Sequence, residues 1–207
     1  MSVKELPLAP TLTDAESVVI TGPPMSGKYE LMHRILGAAG ERAIFLSTGH
    51  DAERVRADYT TTTGHSPDSI AIVDCVTREQ GTTIEDTELT KYASSPKNLT
   101  ELGVKFTELA ENWDRHPQTT VGLHSLSQLL MYWDADRIYQ FTRVLLGRTR
   151  NQDWLTVAVI NSTMHDERTL HTLLDPFDTV VDTRTTDEGW EMRLRDRMSS
   201  PTPWKPF

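Results

Sequence analysis

Residues 17–40 read "SVVITGPPMSGKYELMHRILGAAG", and this stretch decides the fold. "SVVIT" (17–21) is a continuous apolar run of strand length, and "YELMHRILGAAG" (29–40) carries helical spacing ended by glycine. Between them Gly22, Gly27 and Lys28 stand at the spacing of a phosphate-binding loop, G-x-x-x-x-G-K. In that setting the backbone N–H groups of Met25, Ser26, Gly27, Lys28 and Tyr29 surround a β-phosphate. The Lys28 ammonium reaches the β- and γ-oxygens, and the helix amino end adds its dipole. Pro23 and Pro24 are tolerated because the cradle does not use their missing N–H groups. The pattern departs at its last position. Tyr29 stands where a Ser or Thr hydroxyl would ligate Mg²⁺, and a phenol oxygen lies too far from its own Cα to take that place.

Working outward, "RAIFLST" (42–48) reads as a strand, "DAERVRADYTT" (51–61) as a helix and "SIAIVDCV" (69–76) as a strand. Strand, helix and strand repeated this way form parallel βαβ units. Residues 81–91 are polar and aperiodic, a loop leading to a short strand at 90–94. In "SSPKNLTELGVKFTELAENW", Leu99, Leu102, Phe106, Leu109 and Trp113 share one helical face, with Asn98 as N-cap and Glu101 three residues on. "TTVGLHSLSQLLMYW" (119–133) is a strand running into a short helix. Ile138, Phe141, Leu145 and Arg148 space a further helix ending near Arg150. "WLTVAVIN" (154–161) is a strand, "ERTLHTLL" (167–174) a helix stopped by Pro176, and "FDTVVDTR" and "GWEMRLRDRM" are a closing strand pair turning at Asp187 to Gly189. The expectation is one α/β domain over residues 1–198, a parallel central sheet flanked by helices. Residues 199–207 read as a loose Pro-rich tail.

At 207 residues and 37% hydrophobic content the chain can bury one substantial core. Net charge is −9, only six of the 21 basic residues are Lys, and there are 28 Thr. That skew suits a chain adapted to molar salt, where carboxylates stay hydrated and their repulsion is screened. It also argues against a nucleic-acid partner, which calls for clustered Lys and Arg. The single Cys75 excludes an internal disulfide framework, and no apolar run reaches membrane-spanning length. A cytoplasmic location is expected. The seven histidines show no metal-ligand spacing.

Asp74 ends the apolar run "IAIVD" and is a candidate Mg²⁺ ligand; the other reading is an Asp at a strand end near the ligand edge, as all such strand ends are. Arg193, Arg195 and Arg197 alternate along the last strand, either as a solvated face or to meet phosphate or a neighbouring subunit; Arg148 and Arg150 carry the same pair of readings. Trp113, Trp133 and Trp154 read as core.

The phosphate loop, "FLSTGHDAERV", "IAIVDCVTREQG", "YASSPKNLTELGVKFTELAE", "VGLHSLSQLLMYWDADRIYQFTRVLLGRTR" and "HDERTLHTLLDPFDTVVD" together resemble the KaiC/GvpD-like branch of the RecA superfamily of P-loop ATPases, and within it an uncharacterised halophilic archaeal group. The resemblance implies a RecA-like fold that binds ATP or ADP, with Mg²⁺ in doubt, and a regulatory or signalling role in a homo-oligomer or with a protein partner. Better-known members end the central strand in "DSLS", whose Asp holds the metal through water; the matching residues here are His124, Ser125, Leu126 and Ser127. A catalytic glutamate after the second strand is matched by Ser47, Thr48, Gly49 and His50, which offer none. The resemblance places a γ-phosphate sensor among Asn161, Ser162 and His165, although His165 and Asp166 equally suit a helix cap. Nucleotide binding with weak or absent hydrolysis is the expectation. The alternatives are an active ATPase or kinase using Asp74, and a scaffold that has abandoned nucleotide.

Overall fold

A computed structural model describes residues 6–113, 116, 118–195 and 200–207. The apolar runs become strands and the helical-period stretches become helices. In chain order the elements are α1 (Ala9–Thr13), β1 (Ser17–Gly22), α2 (Lys28–Ala39), β2 (Arg42–Ser47), α3 (Ala52–Thr63), β3 (Ile70–Asp74), β4 (Thr90–Tyr92), α4 (Leu99–Trp113), β5 (Thr119–His124), α5 (Leu126–Leu129), α6 (Ala135–Arg150), β6 (Leu155–Asn161), α7 (Glu167–Leu174), β7 (Thr179–Thr186), β8 (Gly189–Arg195) and β9 (Lys205–Pro206).

The strands form one sheet in the order β4-β3-β2-β5-β6-β1-β7-β8-β9. Every pairing from β4 through β7 is parallel, while β8 and β9 join antiparallel. The α/β class and mainly parallel sheet read from the sequence are therefore the observed ones. Because parallel strands need crossover helices, both faces of the sheet are covered. Val19, Ile44, Val121 and Ala158 bury one face under α4, α6 and α7. Val18, Ile20, Phe45 and Val157 bury the other under α1, α2 and α3. The register is set by this alternation: Gly22 lies beside Asn161, and Ser47 lies beside both Asp74 and His124. All five are the carboxyl-end residues of their strands, the edge where open α/β sheets bind ligands.

The carboxyl-terminal residues correct the expected loose tail. Lys205 and Pro206 pair with Met192 and Glu191, and Phe207 is buried at 8% exposure. Composition favours a loose chain here, but burial of one aromatic ring against β8 decides the outcome. Pro206 is tolerated because β9 is an edge strand.

Candidate functional site

The phosphate loop turns between β1 and α2 on glycine geometry. Gly27 has φ 75°, in the left-handed region. A Cβ at Gly27 would stand 2.5 Å from the Trp190 ring, and one at Gly22 would stand 2.2 Å from Thr183 Oγ1. Both positions therefore exclude a side chain by packing, and Gly27 by its backbone conformation as well. Ser26 Oγ donates to the Pro23 carbonyl at 2.8 Å and lies 2.7 Å from Thr183 Oγ1, tying the loop to β7. Gly27, the N-cap of α2, supplies no side-chain cap, so the helix opens toward the cavity with its first amides uncapped by any side chain.

Lys28 lies inside this turn at 6% exposure. Its ammonium donates to the Pro23 carbonyl and to Ser26 Oγ, neutral acceptors that carry no counter-charge. Burial lowers its pKa to about 8. A charged group desolvated against uncharged partners gains from an anion placed beside it.

Tyr29 packs among rings. Its ring meets His33, His50 and His124 at centroid separations of 4.4, 5.0 and 4.8 Å, and Phe45 at 6.2 Å, all edge-on. His50 stacks on His124, and His33 stacks on Phe45. Burial pushes the Tyr29 hydroxyl well above the ordinary phenol range and holds His33 and His124 at about 3, so all three are neutral at physiological pH. His124 Nδ1 and both His33 ring nitrogens are buried without a hydrogen-bond partner, and the Asp58 carboxylate near the Tyr29 hydroxyl adds to the rise of its pKa.

His124 and Ser125, joined by a cis peptide, are held by β2. Thr48 Oγ1 accepts the Ser125 N–H at 2.8 Å, lies 2.7 Å from Gln128 Oε1, and donates to the His124 carbonyl at 2.9 Å. Ser47 donates to the His50 carbonyl. The segment where the resemblance would place a catalytic glutamate instead locks the His124 turn and stacks a ring on it. One strand over, Ser127 Oγ accepts the Asn161 N–H at 2.8 Å and lies 2.9 Å from His165 Nε2. Asn161 and His165 thus converge on Ser127, while Asp166 caps α7 through Thr169 N.

A cavity of about 500 Å³ is lined by Met25 to Glu30, His124, Ser125, Gln128, Val159, Asn161 and Trp190. It gathers Met25 to Tyr29 with His124 and Asn161, while Gly22, Ser162 and His165 line a neighbouring cavity. Trp190 and Thr183 were not legible as site residues, because only the hairpin β7–β8 folding beside β1 brings them to the loop.

Asp74 is corrected. It lies on β3, separated from β1 by β2, β5 and β6. Its carboxylate is wholly buried and accepts from Ala52 N, Val76 N, Thr77 N and Thr77 Oγ1 at 2.7–2.9 Å. These bonds seat the start of α3 and the loop after β3, away from the phosphate loop. The arginines are also occupied: Arg193 and Arg195 share Asp182 at 3.0 and 3.1 Å, Arg148 meets Glu111, and Arg150 meets Glu16 and Asp178. Arg197 lies outside the described residues.

Magnesium and nucleotide fit differently here. The cradle, the uncapped helix end and the uncompensated Lys28 suit a polyphosphate. Among the described residues lining the cavity, Glu30 carries the sole carboxylate, and it is exposed; His124 and Tyr29 stand where the resemblance would place the metal ligands, and the other oxygen donors are the neutral side chains of Ser26, Ser125, Gln128 and Asn161. Without a buried carboxylate that donor set is a weak one for Mg²⁺, which is usually held through one or two carboxylates. Among the described residues no cluster of His, Cys, Asp or Glu is placed to hold a metal, and no helix is long and apolar enough to cross a membrane.

Residues 15–183 match the model of a family of unknown function (DUF7504). No curated protein matches the chain.

Proposed function

The chain belongs to the DUF7504 family, and we propose that it is a nucleotide-binding protein of RecA type that holds ATP or ADP through its polyphosphate, without a protein-ligated Mg²⁺ and with hydrolysis weak or absent. The observation that carries this reading is the contrast around one loop. The groups that handle phosphate are intact in Gly22, Gly27 and a desolvated Lys28. The positions that would handle metal and water are filled by Tyr29, His50 and His124, packed ring on ring. Hydrolysis needs charge stabilisation and an oriented water; Lys28 supports the first, and His50 and its neighbours stand where the resemblance would place the catalytic glutamate for the second. Nucleotide occupancy is then a signal rather than a fuel. The loop is bonded to β7 through Ser26 and Thr183, which supports a role in reporting occupancy to a protein partner or a second copy.

The test is thermal unfolding of the purified chain in molar KCl with ATP or ADP, with and without Mg²⁺, beside Lys28→Ala. Ligand near a hundred times its Kd stabilises by about 2.7 kcal/mol, a visible melting shift. A shift without Mg²⁺ that vanishes in Lys28→Ala is expected. No shift with either nucleotide, or robust phosphate release by the unaltered chain, would overturn the reading.

A further inference from the structure

The cavity over the phosphate loop has two unlike walls. One is the loop itself, amide-rich and carrying Lys28; the other is an indole. Trp190, second residue of β8, pairs with Thr185 across the hairpin, and Thr185 Oγ1 donates to the Met25 carbonyl at 3.4 Å. The hairpin thereby lays the indole on the loop backbone at Gly27. Phe207 packs beside it over the same glycine, its Cζ 2.9 Å from where a Gly27 Cβ would stand: the two rings are 6.1 Å apart at 30°, and Phe207 N donates to the Trp190 carbonyl at 3.2 Å. Phe207 is in turn packed within 6.0 Å of the Arg34 guanidinium. Trp190 is thus fixed in place, yet it is only half-buried and is one of the residues lining the cavity.

An apolar ring held at the mouth of a polyphosphate cradle has no use for phosphate oxygens. Bare polyphosphate leaves the indole wet, and a sugar phosphate covers it with hydroxyls. A flat aromatic group tethered to the phosphates covers it with a matching face. We propose that Trp190 is the specificity-determining residue of this site, stacking the base of a nucleoside polyphosphate whose phosphates lie on the Gly22–Lys28 loop. The proposal rests on the phosphate-loop reading and adds to it the selection of a base-bearing ligand.

Base–aromatic stacking contributes about 1–3 kcal/mol, which is about a fivefold to a hundredfold change in affinity. The experiment is calorimetric titration of the full chain, without Mg²⁺, with ATP and with inorganic tripolyphosphate, on the unaltered protein, Trp190→Ala, Trp190→Phe and Lys28→Ala. The unaltered chain is expected to prefer ATP by at least about fivefold. Trp190→Ala should bring that preference toward one while leaving tripolyphosphate affinity unchanged, and Trp190→Phe should keep most of it. Equal affinities in the unaltered chain overturn the proposal without any variant, so it stays testable even where Trp190→Ala fails to fold. An unchanged preference in a folded Trp190→Ala overturns it too, while sparing the phosphate loop. If neither ligand binds, or Lys28→Ala leaves tripolyphosphate binding intact, the phosphate-loop reading falls and this proposal falls with it.

Discussion

Lys28 and Tyr29 are neighbours with opposite fates, and the difference shows what single residues decide. The Lys28 pKa falls from 10.5 to about 8 on burial, so below pH 8 the group is charged in both folded and unfolded chains and its desolvation cost is fully present. A bound polyphosphate offsets that cost and raises the pKa again. Nucleotide affinity should therefore be flat below about pH 8 and weaken about tenfold per pH unit above it, because binding must then take up a proton. Titrations at a series of pH values check this, and a flat profile to pH 10 would remove Lys28 from the contact. Tyr29 instead fills space among His33, His50 and His124. Tyr29→Thr should cost about 3 kcal/mol or more through the cavity left behind. The double change Tyr29→Thr with His124→Asp supplies a hydroxyl and a carboxylate, and should make nucleotide binding more dependent on Mg²⁺ without restoring turnover, since nothing after β2 orients water. Equal ligand-induced melting shifts with and without Mg²⁺ in that variant would show that these two residues are not what excludes the metal. The sequence could announce both residues because each stands inside a spaced motif; that Tyr29 is clamped by rings from α2, β2 and β5 was invisible, since their separation along the chain hides the cluster.

At the scale of elements, periodicity was the readable signal. The face of α4 lines up as spacing demanded, and its start carries the expected cap, with Glu101 N donating to Asn98 Oδ1 at 3.1 Å. Strand ends were harder, because a carboxylate at the end of an apolar run has the same sequence appearance whether it binds metal or backbone. Asp74 is the case in point. One of its four bonds holds the start of α3 and three hold the loop after β3, so Asp74→Asn, which turns an NH₂ group on these donors, should destabilise the chain by about 2–4 kcal/mol. Nucleotide affinity should not change. Urea midpoints read the first effect and titration the second. Lost activity or binding at unchanged stability would instead return Asp74 to the site. The β7–β8 hairpin was legible from its turn at Asp187 to Gly189, but its position beside β1 was not, and so Trp190 and Thr183 escaped notice. The final strand escaped for another reason: three prolines in residues 200–207 outweighed one buried Phe207 in any compositional reading.

The whole molecule poses an electrostatic question that no single contact answers. The net charge of −9 repels itself, while ion pairs such as Lys105–Asp86 at 2.7 Å and Arg193–Asp182 at 3.0 Å attract. Salt weakens both effects, so the sign of its influence depends on which is larger. Partly exposed pairs contribute about 0–1 kcal/mol each, and those gains are local. The repulsion instead sums over the excess carboxylates at distances comparable to the Debye length, about 10 Å at 0.1 M salt against about 3 Å at 1 M. At low salt the uncompensated charges therefore act on one another across the surface, and at molar salt they do not. The chain should melt higher and more cooperatively in about 2 M KCl than in about 0.1 M, and aggregate or lose its cooperative transition as salt is removed. Thermal unfolding at both concentrations, with an osmolyte control for general exclusion effects, measures the balance. Equal or lower melting temperatures in high salt would mean that the ion pairs carry more than the net charge costs, and the acidic, Lys-poor composition would then need a cause other than adaptation to salt.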